Sequence, residues 1–132
     1  MRPEAEKELV ACFLQEGYVR RNFEAAGECL CEDYWDHSPA GARNRREAVE
    51  ILRAVSGVFG DVQIHMEHIF SEKDLVAVRV RYSMVHTGTW MGIAASGRRI
   101  TFEALEHFRI SQGRIAESWG YWPDGEIERL LR

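Results

Sequence analysis

The chain has 132 residues, 45% hydrophobic and 29% charged, with a formal net charge of −4 at pH 7. That is enough for one ordinary domain with its own core and too little for two, and the acidic balance argues against a nucleic-acid partner. No apolar run approaches the ~20 residues a membrane-spanning helix needs, and the charged N-terminal stretch MRPEAEKE has no signal-peptide core; a cytoplasmic domain over residues 1–132, without membrane contacts, is expected.

The first half carries a helical pattern. Pro3 suits a first helical turn, and Leu9, Val10, Cys12, Phe13 and Leu14 form an apolar stripe that continues to about Arg20. A second short helix is expected from Phe23 to about Cys31, followed by Glu32-Asp33-Tyr34-Trp35-Asp36-His37-Ser38-Pro39, where Pro39 imposes an extended or turned exit. Asn44 is placed to cap a third helix with Glu47 as its capping-box partner. Ala48, Ile51, Leu52, Val55 and Phe59 then recur at helical spacing until Gly57 and Gly60 close the segment.

The second half reads as strands. Val62, Ile64, Met66, His68 and Phe70 alternate with polar residues, and Ser71-Glu72-Lys73-Asp74 makes a turn. In the next strand Val76, Val78, Val80, Tyr82 and Met84 share one face while Arg79, Arg81 and Ser83 share the other. A glycine-punctuated connection through Trp90, Met91 and Gly92 leads to a strand from about Arg99 to Ile110. Ser111-Gln112-Gly113 fits a three-residue hairpin loop before the last strand, Arg114 to Trp122. A short helix from Asp124 presents Ile127, Leu130 and Leu131. Helices first and an antiparallel sheet after them define an α+β domain.

Cys12, Cys29 and Cys31 are an odd set expected to stay reduced, as buried helix cysteines and not as a metal pair. The arginine clusters Arg43, Arg45, Arg46 and Arg98, Arg99 read as solvated. His65 and His68, three apart on a strand, point to opposite faces and make no joint metal site. No phosphate loop, nucleophile elbow or metal-ligand spacing is present. Any catalysis is therefore expected to need no cofactor.

One residue breaks the apolar pattern. Phe102, Ala104, Glu106, Phe108 and Ile110 share a strand face, so Glu106 is a carboxylate among apolar neighbours. It must be paired, hydrogen-bonded or held protonated. Two readings stay open: an ion pair with Arg79 or Arg81, or a proton-transfer group in a pocket. If Ile110 pairs with Arg114, Glu106 lies opposite Ser118 with Gly120 diagonal to it. Ala116, Ser118 and Gly120 then leave room beside the carboxylate, under Trp122. His37 at the end of its loop and His86 at the end of its strand are candidates to face the same space, and His107 falls on the opposite face from Glu106.

Several pieces in this order carry a family likeness: Asp36-His37-Ser38-Pro39, Phe59-Gly60-Asp61, Val76-Ala77-Val78-Arg79, His86-Thr87-Gly88, Met91-Gly92-Ile93 with Ser96-Gly97, and Gly113-Arg114-Ile115 before a tryptophan-bearing strand. On these the chain resembles the SnoaL-like polyketide cyclases of the nuclear transport factor 2-like superfamily. The resemblance implies a cone-shaped fold, with N-terminal helices on a curved antiparallel sheet enclosing an apolar cavity, in a homodimer packed through the outer sheet face. It implies metal- and cofactor-free aldol cyclisation, in a setting of antibiotic biosynthesis. The family's principal acid falls on Gly120, its frequent histidine on Ser118, and its assisting position on Glu106.

The expected function is therefore a cofactor-independent, SnoaL-like acid–base enzyme acting on a hydrophobic, carbonyl-bearing small molecule. Glu106 is the expected base, and His37 and His86 are expected to orient the carbonyl. Tyr18, Trp35, Trp90 and Met91 are expected to bind substrate, together with Phe108, Ser118, Gly120 and Trp122. The alternatives are a non-catalytic binding dimer, a hydroxylation-associated relative, or an epoxide hydrolase, for which the resemblance implies a carboxylate–arginine–carboxylate site.

Overall fold

Pro3, at the first helical position, opens α1 (Pro3–Leu14), which buries Val10, Phe13 and Leu14. The structure is a computed structural model and describes residues 1–39 and 41–132. α1 runs directly into a π-helical turn (Gln15–Val19), so the expected long helix is one rod with a widened last turn. Such turns re-aim side chains and recur at functional sites; this one carries Tyr18.

α2 (Phe23–Glu28), capped by the Asn22 side chain accepting from the Ala25 N–H, is shorter than the sequence suggests. The chain leaves the helix at Cys29 and enters a strand, β1 (Leu30–Asp36), where helix and loop were expected. Leu30 pairs with Ile115 and Asp36 with Ser118, but an irregularity between Leu30 and Trp35 spoils the two-residue period by which a strand is recognised. The cysteines differ accordingly: Cys29 is buried, but Cys12 is exposed and Cys31 lies on β1.

α3 (Arg45–Val58) starts as expected, with the Asn44 side chain accepting the Glu47 N–H at 2.8 Å. The Glu47 carboxylate turns back to the Arg43 N–H at 2.9 Å, one residue before the cap. Phe59 is not the end of the helical stripe but the first residue of β2 (Phe59–Glu72). β3 (Leu75–His86), β4 (Arg99–Ser111), β5 (Arg114–Tyr121) and α4 (Asp124–Leu131) follow.

The five strands form a curved, unclosed sheet in the order β1-β5-β4-β3-β2, with only the β1–β5 pair parallel. The core lies between the helices and the inner face. There Val76, Val78, Val80, Tyr82 and Met84 of β3 meet Ile100, Phe102, Ala104, Phe108 and Ile110 of β4. Each large apolar side chain so buried contributes about 1.5–3 kcal/mol. α4 adds Ile127 and Leu131 to that core. No helix among the described residues is long and apolar enough to cross a membrane.

Two bulges change which residues share a face. In β2 an extra residue between Met66 and His68 pairs His65 with Arg81 and His68 with Arg79, so both histidines face outward and not to opposite sides. Phe70 is turned out with them, 64% exposed, and Ile69 packs on the core. The β4–β5 hairpin turns on two residues, not three: Ser111 pairs with Arg114 across Gln112 and Gly113, at φ 52° and 78°. Both central residues at positive φ suit the twist of a tight hairpin. A bulge after Ile110↔Ile115 then brings Phe108 opposite Ser118 and Glu106 opposite Gly120.

Candidate active site

Glu106 projects from the inner face of β4 between β3 and β5. Its Oε2 accepts a hydrogen bond from the Tyr82 hydroxyl at 2.5 Å. No arginine reaches it among the described residues: Arg79 pairs with Glu103 and Arg81 with Glu67, on the outer face. Burial is the main influence on the carboxyl and raises its pKa from 4.5 to about 7. The Tyr82 hydrogen bond opposes that rise, and the nearby Asp36 charge adds to it. The clamp that would have made Glu106 structural is absent, and a carboxyl poised near neutrality stands in its place.

Directly across from it is Gly120. A Cβ built there would lie 3.2 Å from the Glu106 Cγ, 3.4 Å from its Oε1 and 3.5 Å from the Ser38 Oγ. A side chain there would press on Glu106, which would have to give by a few tenths of an ångström. Above it runs a polar chain: the Gly120 N–H donates to Ser38 Oγ at 2.7 Å, and that hydroxyl donates to Asp36 Oδ1 at 2.5 Å. The Ser38 N–H donates to the same Asp36 oxygen at 2.9 Å, closing a turn in which an aspartate accepts from the backbone two residues on. β1 thus brings a second carboxylate, Asp36, to the cavity from the opposite side.

The space around these groups has two chambers that share Tyr18, Asp36, Ser38, Glu106 and Gly120. The inner one, about 60 Å³, reaches Phe13, Phe108 and the Tyr34–Ser118 hydroxyl pair, which are 2.5 Å apart. The outer one, about 230 Å³, opens past Trp122, Tyr121 and Asp124. Tyr18 stands edge-on to Tyr82 with ring centroids 5.6 Å apart and lies 5.8 Å from Trp122. Burial, and then the Glu106 charge, hold the Tyr18 pKa well above its ordinary value, so its hydroxyl remains a donor at neutral pH. That hydroxyl makes no hydrogen bond among the described residues. A larger groove of about 820 Å³ lies along the exposed sides of α2 and α3, but it touches none of these groups.

Of the residues expected at the site, Tyr18, Phe108, Ser118, Gly120 and Trp122 line the chambers with Glu106. The others lie elsewhere. His37 sits between Trp35 and Trp119, ring centroids 4.0 and 4.9 Å away, and its Nε2 is 2.8 Å from Glu117. Arg43 stacks on Trp35, which is 42% exposed, and Arg109 approaches Trp119, so this ladder covers the other side of the sheet. His86 is fully buried beside Phe59, and its Nδ1 accepts the Ser96 N–H at 3.1 Å, which leaves the hydrogen on Nε2. That nitrogen has no partner among the described residues. Trp90 packs on Phe59 and Met91 is 63% exposed.

Asp36, Ser38, Tyr34 and Tyr82 were missed in the sequence. The Asp-x-Ser spacing is the signal that marks the first two. Tyr82 falls on the same strand face as the core valines, so only register places its hydroxyl on Glu106. No group of three or more metal-ligating side chains occurs among the described residues.

N-terminal helices packed on a curved, unclosed sheet, with a half-buried carboxylate facing a cavity, make a nuclear transport factor 2-like fold. Residues 8–129 match the SnoaL-like polyketide cyclase family, and the chain belongs to it. Solved structures share the fold at low identity. TsrD from Streptomyces laurentii superposes with a TM-score of 0.90 at 24% identity, covering 99% of this chain and 97% of that one. AclR from Streptomyces galilaeus, a proposed hydroxylase, gives 0.87 at 21%, with 98% and 97% covered. IdmH from Streptomyces antibioticus, a proposed polyketide cyclase, gives 0.83 at 24%, with 96% and 97% covered. No curated protein matches the sequence significantly.

Proposed function

We propose that the protein is an acid–base enzyme of the SnoaL-like type that removes a proton from carbon next to a carbonyl group of a hydrophobic small molecule. Glu106 is the base. Ionised, its carboxylate takes the proton: the substrate C–H bond breaks, an O–H bond forms on Glu106, and the electron pair moves to the carbonyl oxygen as an enolate. The Tyr18 hydroxyl is the donor for that oxygen, because it faces the cavity without a partner and stays protonated. The enolate carbon then attacks a second carbonyl of the same molecule, forming the ring bond, and Glu106 returns its proton to the new alkoxide. Base and acid are one residue used twice.

The observation that carries this reading is Glu106 itself, in a cavity, without an arginine and with its pKa raised to about 7. At Gly120, where the resemblance places the family's acid, the lack of a side chain leaves Glu106 its space over β5. The epoxide-hydrolase alternative loses support because the two carboxylates, Asp36 and Glu106, have no arginine between them among the residues lining the chambers. Deuterium uptake at C1 of 2-tetralone in D₂O tests the proposal. The wild-type protein is expected to speed exchange above buffer and Glu106→Gln to abolish the effect; equal exchange by both proteins would sink it.

A further inference from the structure

The charge of the cavity is one-sided. Asp36 and Glu106 line both chambers and Asp124, the exposed first residue of α4, lines the mouth. Among the described residues no lysine, arginine or histidine lines either chamber. Four of the sheet's arginines are engaged elsewhere, Arg79 on Glu103, Arg81 on Glu67, Arg99 on Asp61, and Arg109 on Asp74 and Glu117. Carboxylates gathered around one concave space without a counter-charge attract a cation and repel an anion.

The uncharged wall has matching chemistry. Tyr18, Tyr82 and Trp122 pack with ring centroids 5.0–5.8 Å apart, so a molecule entering past Trp122 meets aromatic surface first. Aromatic faces beside carboxylates are the combination that holds ammonium groups. The chambers are also small, below the roughly 300–1,000 Å³ usual for small-molecule sites. They suit a compact ring system and leave no room for a long polycycle.

We infer that the molecule this cavity takes carries a protonated amine beside its carbonyl, held between Asp36, Asp124 and the faces of Tyr18 and Trp122, and bears no carboxylate or phosphate. The inference rests on reading the Glu106 cavity as the substrate site. It adds a specificity role for Asp36 and Asp124 that proton abstraction does not require.

Calorimetric titration of the full chain at low ionic strength with three probes of one skeleton tests it: protonated 2-aminotetralin, neutral 2-tetralol and anionic tetralin-2-carboxylate. The amine is expected to bind about tenfold or more tighter than the alcohol, with the carboxylate weakest. Asp36→Asn and Asp124→Asn are each expected to narrow the amine's advantage while leaving the alcohol's affinity in place. Asp124 is exposed, so its variant remains informative even if Asp36→Asn misfolds. The inference is overturned if the alcohol or carboxylate binds as tightly as the amine, if the amine fails to bind at millimolar concentration, or if its advantage survives both substitutions. Failure of the base reading is separable: 2-tetralone exchange that persists in Glu106→Gln removes the base and leaves the amine preference intact.

Discussion

Glu106 on β4 pairs directly with Gly120 on β5, and a Cβ at position 120 would lie 3.2 Å from the Glu106 Cγ. The absence of a side chain at 120 therefore sets where the carboxylate lies. Gly120→Ala forces the Glu106 side chain to give by a few tenths of an ångström. Overpacking of this kind typically costs about 1–3 kcal/mol. A lowered melting temperature, together with slower 2-tetralone exchange, is the expected outcome. Gly120→Asp, which adds the family's acid, is expected to lower exchange further, because a third carboxylate enters an already acidic space.

The pH dependence of exchange follows from the same residue. A base must be ionised, so the rate is expected to rise with pH and level off above about 7. The Tyr82 hydrogen bond pulls the Glu106 pKa down against burial. Tyr82→Phe removes that pull, and the midpoint of the profile is expected to move to higher pH. A midpoint that moves down would contradict the assigned balance.

Stability should change in the opposite sense. Between pH 4.5 and about 7 the folded protein keeps a proton on Glu106 that the unfolded chain has released. Native binding of the extra proton makes stability fall as pH rises through that window and level off above it. The loss is on the order of 3 kcal/mol for a shift of this size. Glu106→Gln removes the loss, so denaturant titrations should find the variant gaining on wild type from pH 4 to pH 8.

His37 supplies a control. Its ring is stacked between Trp35 and Trp119 and bonded to Glu117, on the far side of the sheet from Glu106. His37→Ala is expected to cost about 1 kcal/mol of stability through lost stacking and one hydrogen bond. Exchange of 2-tetralone should stay at the wild-type rate. Abolished exchange in a folded His37→Ala protein would return the histidine to the chemistry.

The α+β order, the α3 cap at Asn44 and the placement of Glu106 among apolar residues were all legible in the sequence, because each rests on local periodicity or cap chemistry. What was hidden depends on registers that bulges shift. The two-residue turn and the extra residue in β5 each shifted the register by one, and together they moved Gly120 from a diagonal neighbour of Glu106 to its direct partner. An irregularity in β1 disguised a strand as loop, and with it Asp36 as a mere neighbour of His37. His37 follows an edge strand whose alternation is broken, so nothing local fixed the side it faces.

The most direct test is a carboxyl NMR titration of the ¹³C-glutamate-labelled protein. One glutamate resonance is expected to titrate near pH 7, to be missing in Glu106→Gln, and to move upward in Tyr82→Phe. If every glutamate carboxyl titrates below about pH 5, Glu106 is not a base poised near neutrality, and the account of this site is wrong.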